Sequence, residues 1–185
     1  YVDERDFEMI DILDDFKQYC LDEGLISDRD NWMRAITAGD SMSDSLKLNL
    51  YYDKASINYT SQGYIGLYAN KIIHAIGKIR KTAIASYQNG VFKCEPEGDY
   101  KLTKDDTDRI KKAFEKFGDV SSLTMEPHRF FLVDKFYNTK FVKSSKNGIQ
   151  KCKLFDLGQV FKDDKMPNTE QIANYLNGKT WEEFY

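Results

Sequence analysis

Histidine, cysteine and proline are scarce in this sequence: two, three and three among 185 residues. Each scarcity removes a class of protein. Cys20, Cys94 and Cys152 lie far apart, are odd in number and form no C-x-x-C pair. That spacing argues against a zinc site and a disulfide framework, and for three reduced thiols. His74 sits in an apolar run between Ile73 and Ala75, and His128 follows Pro127. Neither has the local neighbours of a catalytic base, although a Cys–His pair with Cys94 or Cys152 stays open. Phosphate-loop and dinucleotide fingerprints are missing, because Gly63-Tyr64-Ile65-Gly66 has neither the spacing nor the helix that must follow. No run approaches the ~20 apolar residues of a membrane-spanning helix. The start, Tyr1-Val2-Asp3-Glu4-Arg5, lacks the basic-then-apolar order of a signal peptide. The absence of an initiator methionine fits a processed product or a piece of a longer chain. The expectation is a cytoplasmic protein that engages no membrane, carries no cofactor or metal, and binds rather than catalyses.

Aromatics, by contrast, are plentiful. Twelve Tyr and twelve Phe supply a core, since each buried ring removes roughly 150–250 Å² from water. Charge is unevenly placed. Residues 1–30 hold eleven acids against three bases, a net of −8, while the whole chain is only −3. The remainder is therefore +5. Two acidic pairs need no catalytic explanation: Asp105-Asp106 stands at a helix start, and Asp163-Asp164 lies between Lys162 and Lys165.

Periodicity outlines the elements. Phe7, Ile10, Leu13, Phe16 and Cys20 recur at helical spacing, predicting an amphipathic helix over 5–21 with Gly24 as its stop. Asp28-Arg29-Asp30 reads as the cap of a short second helix through Trp32, Met33 and Ile36, and 39–44 as a loop. Leu46, Leu48 and Leu50 alternate with polar residues as in a strand. Strands are expected at 64–68, 72–79, 83–87, 91–94, 129–136, 139–142 and 153–155. Gln88-Asn89-Gly90 marks a hairpin, and Gly66 and Gly77 mark bends. Thr103 opens a helix over 104–117 that Gly118 closes, and Pro167-Asn168-Thr169 opens one over 169–176. The fold class is α+β: a mostly antiparallel, strongly bent sheet or small barrel with flanking helices. The division is an acidic N-terminal helical segment, 1–40, and a barrel-like domain, 41–185.

The strongest functional signal is basic charge interleaved with rings. Residues 71–93 carry five cations and no acid; residues 129–153 carry seven cations and one acid, with Phe136, Tyr137 and Phe141 among them. Cations attract phosphates and aromatic faces stack bases at roughly 1–3 kcal/mol each. The candidate nucleic-acid-binding residues are Lys78, Arg80, Lys81, Arg129, Lys135, Tyr137, Lys140 and Lys143. The same pattern also arises when strands put Lys on a wet face and Phe on a dry one.

The run Tyr64-Ile65-Gly66-Leu67-Tyr68, the strand Ile72 to Ile79, and Arg129-Phe130-Phe131-Leu132-Val133-Asp134 after the Thr103 helix resemble strands of the PUA-like superfamily, in particular EVE-type domains. The likeness is one of element order and strand texture over about residues 46–157. It implies a small bent barrel that binds DNA or RNA, often a modified base in an aromatic pocket, in restriction or defence systems. The leading expectation is thus a non-catalytic nucleic-acid recognition module. The alternative is a protein-interaction or inhibitor protein of phage or mobile-element type, which docks a protein partner through the acidic segment 1–30.

Overall fold

The computed structural model describes residues 29–57, 62–88, 90–117, 122–149, 152–161 and 166–184. The expected helix over 5–21, Gly24, Cys20, Gly118 and Asp163-Asp164 lie outside them. Seven strands form one mixed sheet: β1 (Trp32–Thr37), β2 (Leu50–Lys54), β3 (Tyr64–Ala69), β4 (Ile72–Gln88), β5 (Val91–Pro96), β6 (His128–Val142) and β7 (Cys152–Asp156). Their order is β2-β6-β4-β3-β1-β7, with β5 on the far half of β4. Among the described strands only the β1–β3 ladder is parallel. Among the described residues four helices flank it: α1 (Met42–Leu48), α2 (Lys104–Phe117), α3 (Leu157–Val160) and α4 (Thr169–Leu176). The expected α+β class, with a mostly antiparallel and strongly curved sheet, is what the chain adopts.

The two long strands do the curving. β4 borders β3 along its first half and β5 along its second, and β6 follows it throughout with three register shifts. Each shift is a bulge that locally raises twist and bends the ladder, curling the sheet into a half-barrel. Gly77 sits beside one of these shifts, as expected of a bend. Gly66 does something else: it pairs regularly with Ile76 and admits Ile73 and Met33 against the backbone. A Cβ on Gly77 would come within 2.9 Å of the Phe136 ring and 3.0 Å of Val133. Gly77→Ala is therefore expected to overpack this corner by about 1–3 kcal/mol. That exceeds the ~0.4–1 kcal/mol a glycine replacement gains through the unfolded chain. The denaturation midpoint should fall; an unchanged or raised midpoint refutes the tight corner.

Turns and caps follow sequence chemistry. Asn70 and Lys71 both take positive φ (50° and 64°) in the β3–β4 turn, and Gly90 (φ 76°) closes the β4–β5 hairpin, where Gln88 faces Val91. Thr103 caps α2 reciprocally with Asp106: the Asp106 N–H donates to Thr103 Oγ1 (3.1 Å) and the Thr103 N–H to Asp106 Oδ2 (2.8 Å). Asn168 and Gln171 make the equivalent exchange at α4.

Other expectations fail as well: 39–44 is not a loop but holds the 3-10 turn Gly39–Ser41 and the start of α1. Trp32 to Ile36 is not a helix but β1, an inner strand paired with β3 and β7. Met33, Arg34, Ala35 and Ile36 are all buried, so both faces are covered and the period-2 signature is erased. Leu46 and Leu48 belong to α1, not to a strand. Met42 and Leu46, four apart, pack on the cluster that holds Ile36, Ile65 and Leu67, and Asn49 ends the helix in the left-handed region (φ 49°) before β2 begins.

Three apolar clusters fill the domain. The α4 side of the sheet holds Met33, Tyr64, Ile73, Ile76, Phe141 and Phe155 against Ile172, Leu176 and Trp181. The α1 side holds Ile36, Ile65, Leu67, Ala75, Val133 and Phe136. Under α2, Ile110, Ala113 and Phe114 meet Leu50, Ala83, Phe130 and Leu132.

Candidate nucleic-acid interface

On the α4 side the apolar cluster ends at Tyr64 and Ile76, and the strands run on into a polar rim. Lys78 stands directly across from Tyr64. Two bulges then alter what points outward. Gly77 faces Phe136 and Ile79 faces Val133, so the single residue Lys78 stands opposite both Asp134 and Lys135. Val133 and Phe136 both turn to the α1 side. The two residues between them are therefore turned to the α4 side together. Arg80 in turn has no partner between the Ile79–Val133 and Lys81–Leu132 pairs. Bulges of this kind re-aim side chains. Here they gather Lys78, Arg80, Asp134 and Lys135 at one place.

The first turn of α4 covers that place. A cavity of about 860 Å³ lies between Tyr64, Lys78 and Arg80 on the sheet and Asn168, Thr169 and Gln171 at the helix start, with Phe161, Met166 and Tyr175 as an apolar wall. A side lobe of about 260 Å³ shares Lys78, Arg80, Asn168 and Thr169 and adds Asp134, Lys135, Tyr137 and Glu170. The capping exchange occupies the N–H groups of Asn168 and Gln171, leaving those of Thr169 and Glu170 without an intrahelical acceptor. The groove thus combines three cations, the positive end of a helix and ring faces.

Its electrostatics favour an anion. Arg80 Nε donates to Asp134 Oδ2 at 2.6 Å, but the two side chains are 53% and 69% exposed. An ion pair so exposed is worth at most ~1 kcal/mol and exchanges readily for a phosphate. Lys78 Nζ lies 5.5 Å from the Tyr64 ring centre and Lys135 Nζ 5.0 Å from that of Tyr137. These placements steer each ammonium without neutralising it. Burial raises the Tyr64 phenol above its usual value, against the lowering effect of Arg80. It therefore stays protonated as a hydrogen-bond donor.

Of the eight residues singled out by sequence, four meet here: Lys78, Arg80, Lys135 and Tyr137. The others are elsewhere. Lys81 donates to Asp106 (2.7 Å) and the Lys101 carbonyl (3.2 Å), tying β4 to α2. Arg129 pairs with Glu97 (2.8 Å) and donates to the Ile57 carbonyl (2.7 Å). Thr139 and Phe141 both face α4, so Lys140 between them is turned away. Lys143 bonds Ser145 through its ammonium and Lys71 through its N–H. Phe136 and Phe141 are core residues, 6% and 1% exposed, whereas Tyr137 is half-buried at the lobe. Tyr64, Asn168, Thr169 and Gln171 were not singled out. The Asn168–Gln171 box announces a helix start, but only the tertiary fold sets it over Lys78.

Two cysteines and both histidines fall among the described residues. Burial, followed by Asp106 and Glu95, pushes the Cys94 thiol up to about 11, so it is protonated and weakly reactive at neutral pH. Cys94 and Cys152 are both free thiols. His74 Nε2 lies 3.1 Å from the Ala69 carbonyl, and His128 Nδ1 lies 2.8 Å from that of Glu126. Among the described residues no three His, Cys, Asp or Glu side chains converge as metal ligands, and no helix is long and apolar enough to cross a membrane.

No protein-family model and no curated protein matches the chain. Among solved structures, the crystal structure of ASCH from Zymomonas mobilis aligns with 83% of this chain and 99% of its own, at 10% identity and a TM-score of 0.39.

Proposed function

We propose that the chain is a non-catalytic nucleic-acid recognition module, and that the groove between β4, β6 and the start of α4 is its binding site. The observation that carries this is the pair of bulges that brings Lys78, Arg80 and Lys135 together beside Tyr137, under a helix N-terminus. Phosphate is the ligand for cations and open N–H groups; a base is the ligand for a ring face and for the amides of Asn168 and Gln171. The cavity of about 860 Å³ has room for a nucleotide with its phosphates. A modified base as preferred ligand, and a defence or restriction setting, are the finer form of this reading. They rest on the strand resemblance to EVE-type domains.

Replacing Tyr137 by alanine tests it. If the ring stacks a base, single-stranded oligonucleotide binding should weaken by ~1–3 kcal/mol while thermal stability changes little, because the ring is half-buried at the rim. Fluorescence anisotropy at about 50 mM salt is the measurement, where electrostatic affinity is greatest. No detectable binding by the unaltered protein under those conditions rejects the reading.

A further inference from the structure

We infer that a bound nucleic-acid strand continues out of the groove, over the rim of β6, into a second cavity where its backbone phosphates meet Lys47 and Lys112. This rests on reading the groove as a nucleic-acid site. The β2–β6 ladder stops at Leu50–Leu132, and Asn49 borders β6 beyond that point. Its carbonyl accepts the Val133 N–H (3.1 Å), and its side-chain Oδ1 accepts the Phe136 N–H (3.2 Å). Val133 and Phe136 bracket Asp134 and Lys135, so Asn49 spans the same bulge that builds the groove. Next to it a cavity of about 440 Å³ is lined by Lys47 and Asn49 at the end of α1, by Asp105, Arg109 and Lys112 on α2, and by Asp134. Asp134 also lines the side lobe of the groove, so a single residue separates the two spaces.

Charge makes the second cavity an anion site. Its acids are already matched: Asp105 pairs with Arg109 (3.1 Å) and Asp134 with Arg80 (2.6 Å). Arg109 is further committed to Asp106 (2.8 Å) and to the carbonyls of Asn49 and Val133. Lys47 and Lys112 are exposed, and neither has an ion-pair or hydrogen-bond partner among the described residues. Helical spacing puts Lys112 there, since Asp105, Arg109 and Lys112 lie four and three apart on one stripe of α2. Among the described residues no ring lines this cavity, so a base finds nothing to stack on. What fits two open ammonium groups without a ring is the sugar-phosphate backbone, which positions a strand without reading it. The base goes to the groove and the backbone passes on beyond it.

Lys47→Ala/Lys112→Ala in the otherwise unaltered chain tests this with single-stranded DNA of two lengths. One of about 12 nucleotides is within the usual span of a single-strand site, and one of about 3 is below it. Two phosphate contacts at about 0.7 each should flatten the salt slope for the longer strand by about 1.4, and its affinity at about 50 mM salt should fall about fivefold or more. The short strand, which reaches only the groove, should lose less than about twofold. Both side chains are exposed, so thermal stability should not change. In NMR titrations of the unaltered protein, the longer strand should shift the amide signals of Lys47, Asn49 and Lys112 together with those of Lys78 and Arg80. The short strand should shift only the last two. An unchanged slope, equal losses for both lengths, or shifts confined to the groove with the longer strand overturn the inference and leave Lys47 and Lys112 as solvated surface charge. Shifts at Lys47 and Lys112 caused by the short strand also overturn it, because the cavity is then a separate site. The two readings fail separately. Binding that depends on Lys78, Arg80 and Lys135 but not on Lys47 and Lys112 keeps the groove and removes the second cavity. The converse dependence, or no binding by the unaltered protein, ends both.

Discussion

Replacing Asp106 by alanine is expected to lower stability by about 3 kcal/mol, the low end of the cost of leaving buried countercharges without their partner, because Lys81 and Arg109 are only partly buried. Asp106 has an 8% exposed side chain, receives Lys81 Nζ at 2.7 Å and Arg109 Nη2 at 2.8 Å, and caps α2 through Thr103. Arg109 also donates to the carbonyls of Asn49 (3.2 Å) and Val133 (2.9 Å). One carboxylate therefore holds α2, β4, β6 and the start of β2 together. Burial works to raise its pKa, but the hydrogen bonds from Lys81, Thr103 and Arg109 outweigh it and hold the group well below the usual carboxylate range. A pKa depressed by folding contributes stability that is present above the unfolded value, ~3.9 for Asp, and lost as pH falls toward the folded one. Urea denaturation between pH 7 and pH 2 should show that loss in the unaltered protein. It should be reduced in Asp106→Asn, which cannot ionise. A loss under 1 kcal/mol in Asp106→Ala, or an identical acid limb in Asp106→Asn, would show that the network is peripheral.

The second large effect concerns the groove. Lys78→Ala/Arg80→Ala/Lys135→Ala removes the three cations that line it among the described residues. Each phosphate contact contributes about 0.7 to the salt slope of single-strand binding, so the slope should flatten by about 2. At about 50 mM salt the affinity should drop by roughly 2–4 kcal/mol. Charge-assisted hydrogen bonds are worth ~1.5–3 kcal/mol each, and this surface exposure reduces them. Lys140→Ala/Lys143→Ala serves as the comparison. Both residues came from the same basic stretch of sequence, yet neither lines the groove, and the slope should change by less than about 1. If the Lys140/Lys143 variant loses more binding than the groove variant, the interface lies on the other face of β6.

How far the sequence could be read depends on whether a feature is local. The helices 104–117 and 169–176 were legible because Thr103 and Asn168 cap them within one turn. The β4–β5 hairpin was legible because Gly90 takes the positive φ its turn needs. Trp32–Thr37 was not, because a strand buried on both faces loses its alternation. Lys81 and Arg129 looked like free surface charges. They are neutralised by Asp106 and Glu97, 25 and 32 residues away, which no local pattern reveals. Tyr137 was separated from its core neighbours Phe136 and Phe141 only by the register of β6. The site was half visible for the same reason. Its cations lie in sequence, but their convergence depends on two bulges and on the start of a helix more than thirty residues further on.

Those two bulges also cancel. The pair Gly77–Phe136 and the pair Lys81–Leu132 belong to one register, and only Ile79–Val133 between them is a residue out of step. The extra residue in β6 is answered by the extra residue in β4, so the sheet on either side is indifferent to the interruption. A length change in one strand alone would shift half the ladder and turn core side chains to solvent. Matched changes in both would leave the scaffold intact. The groove is in this sense a detachable insert, which divergence could reshape or erase in paired steps while the half-barrel that carries it is inherited unchanged.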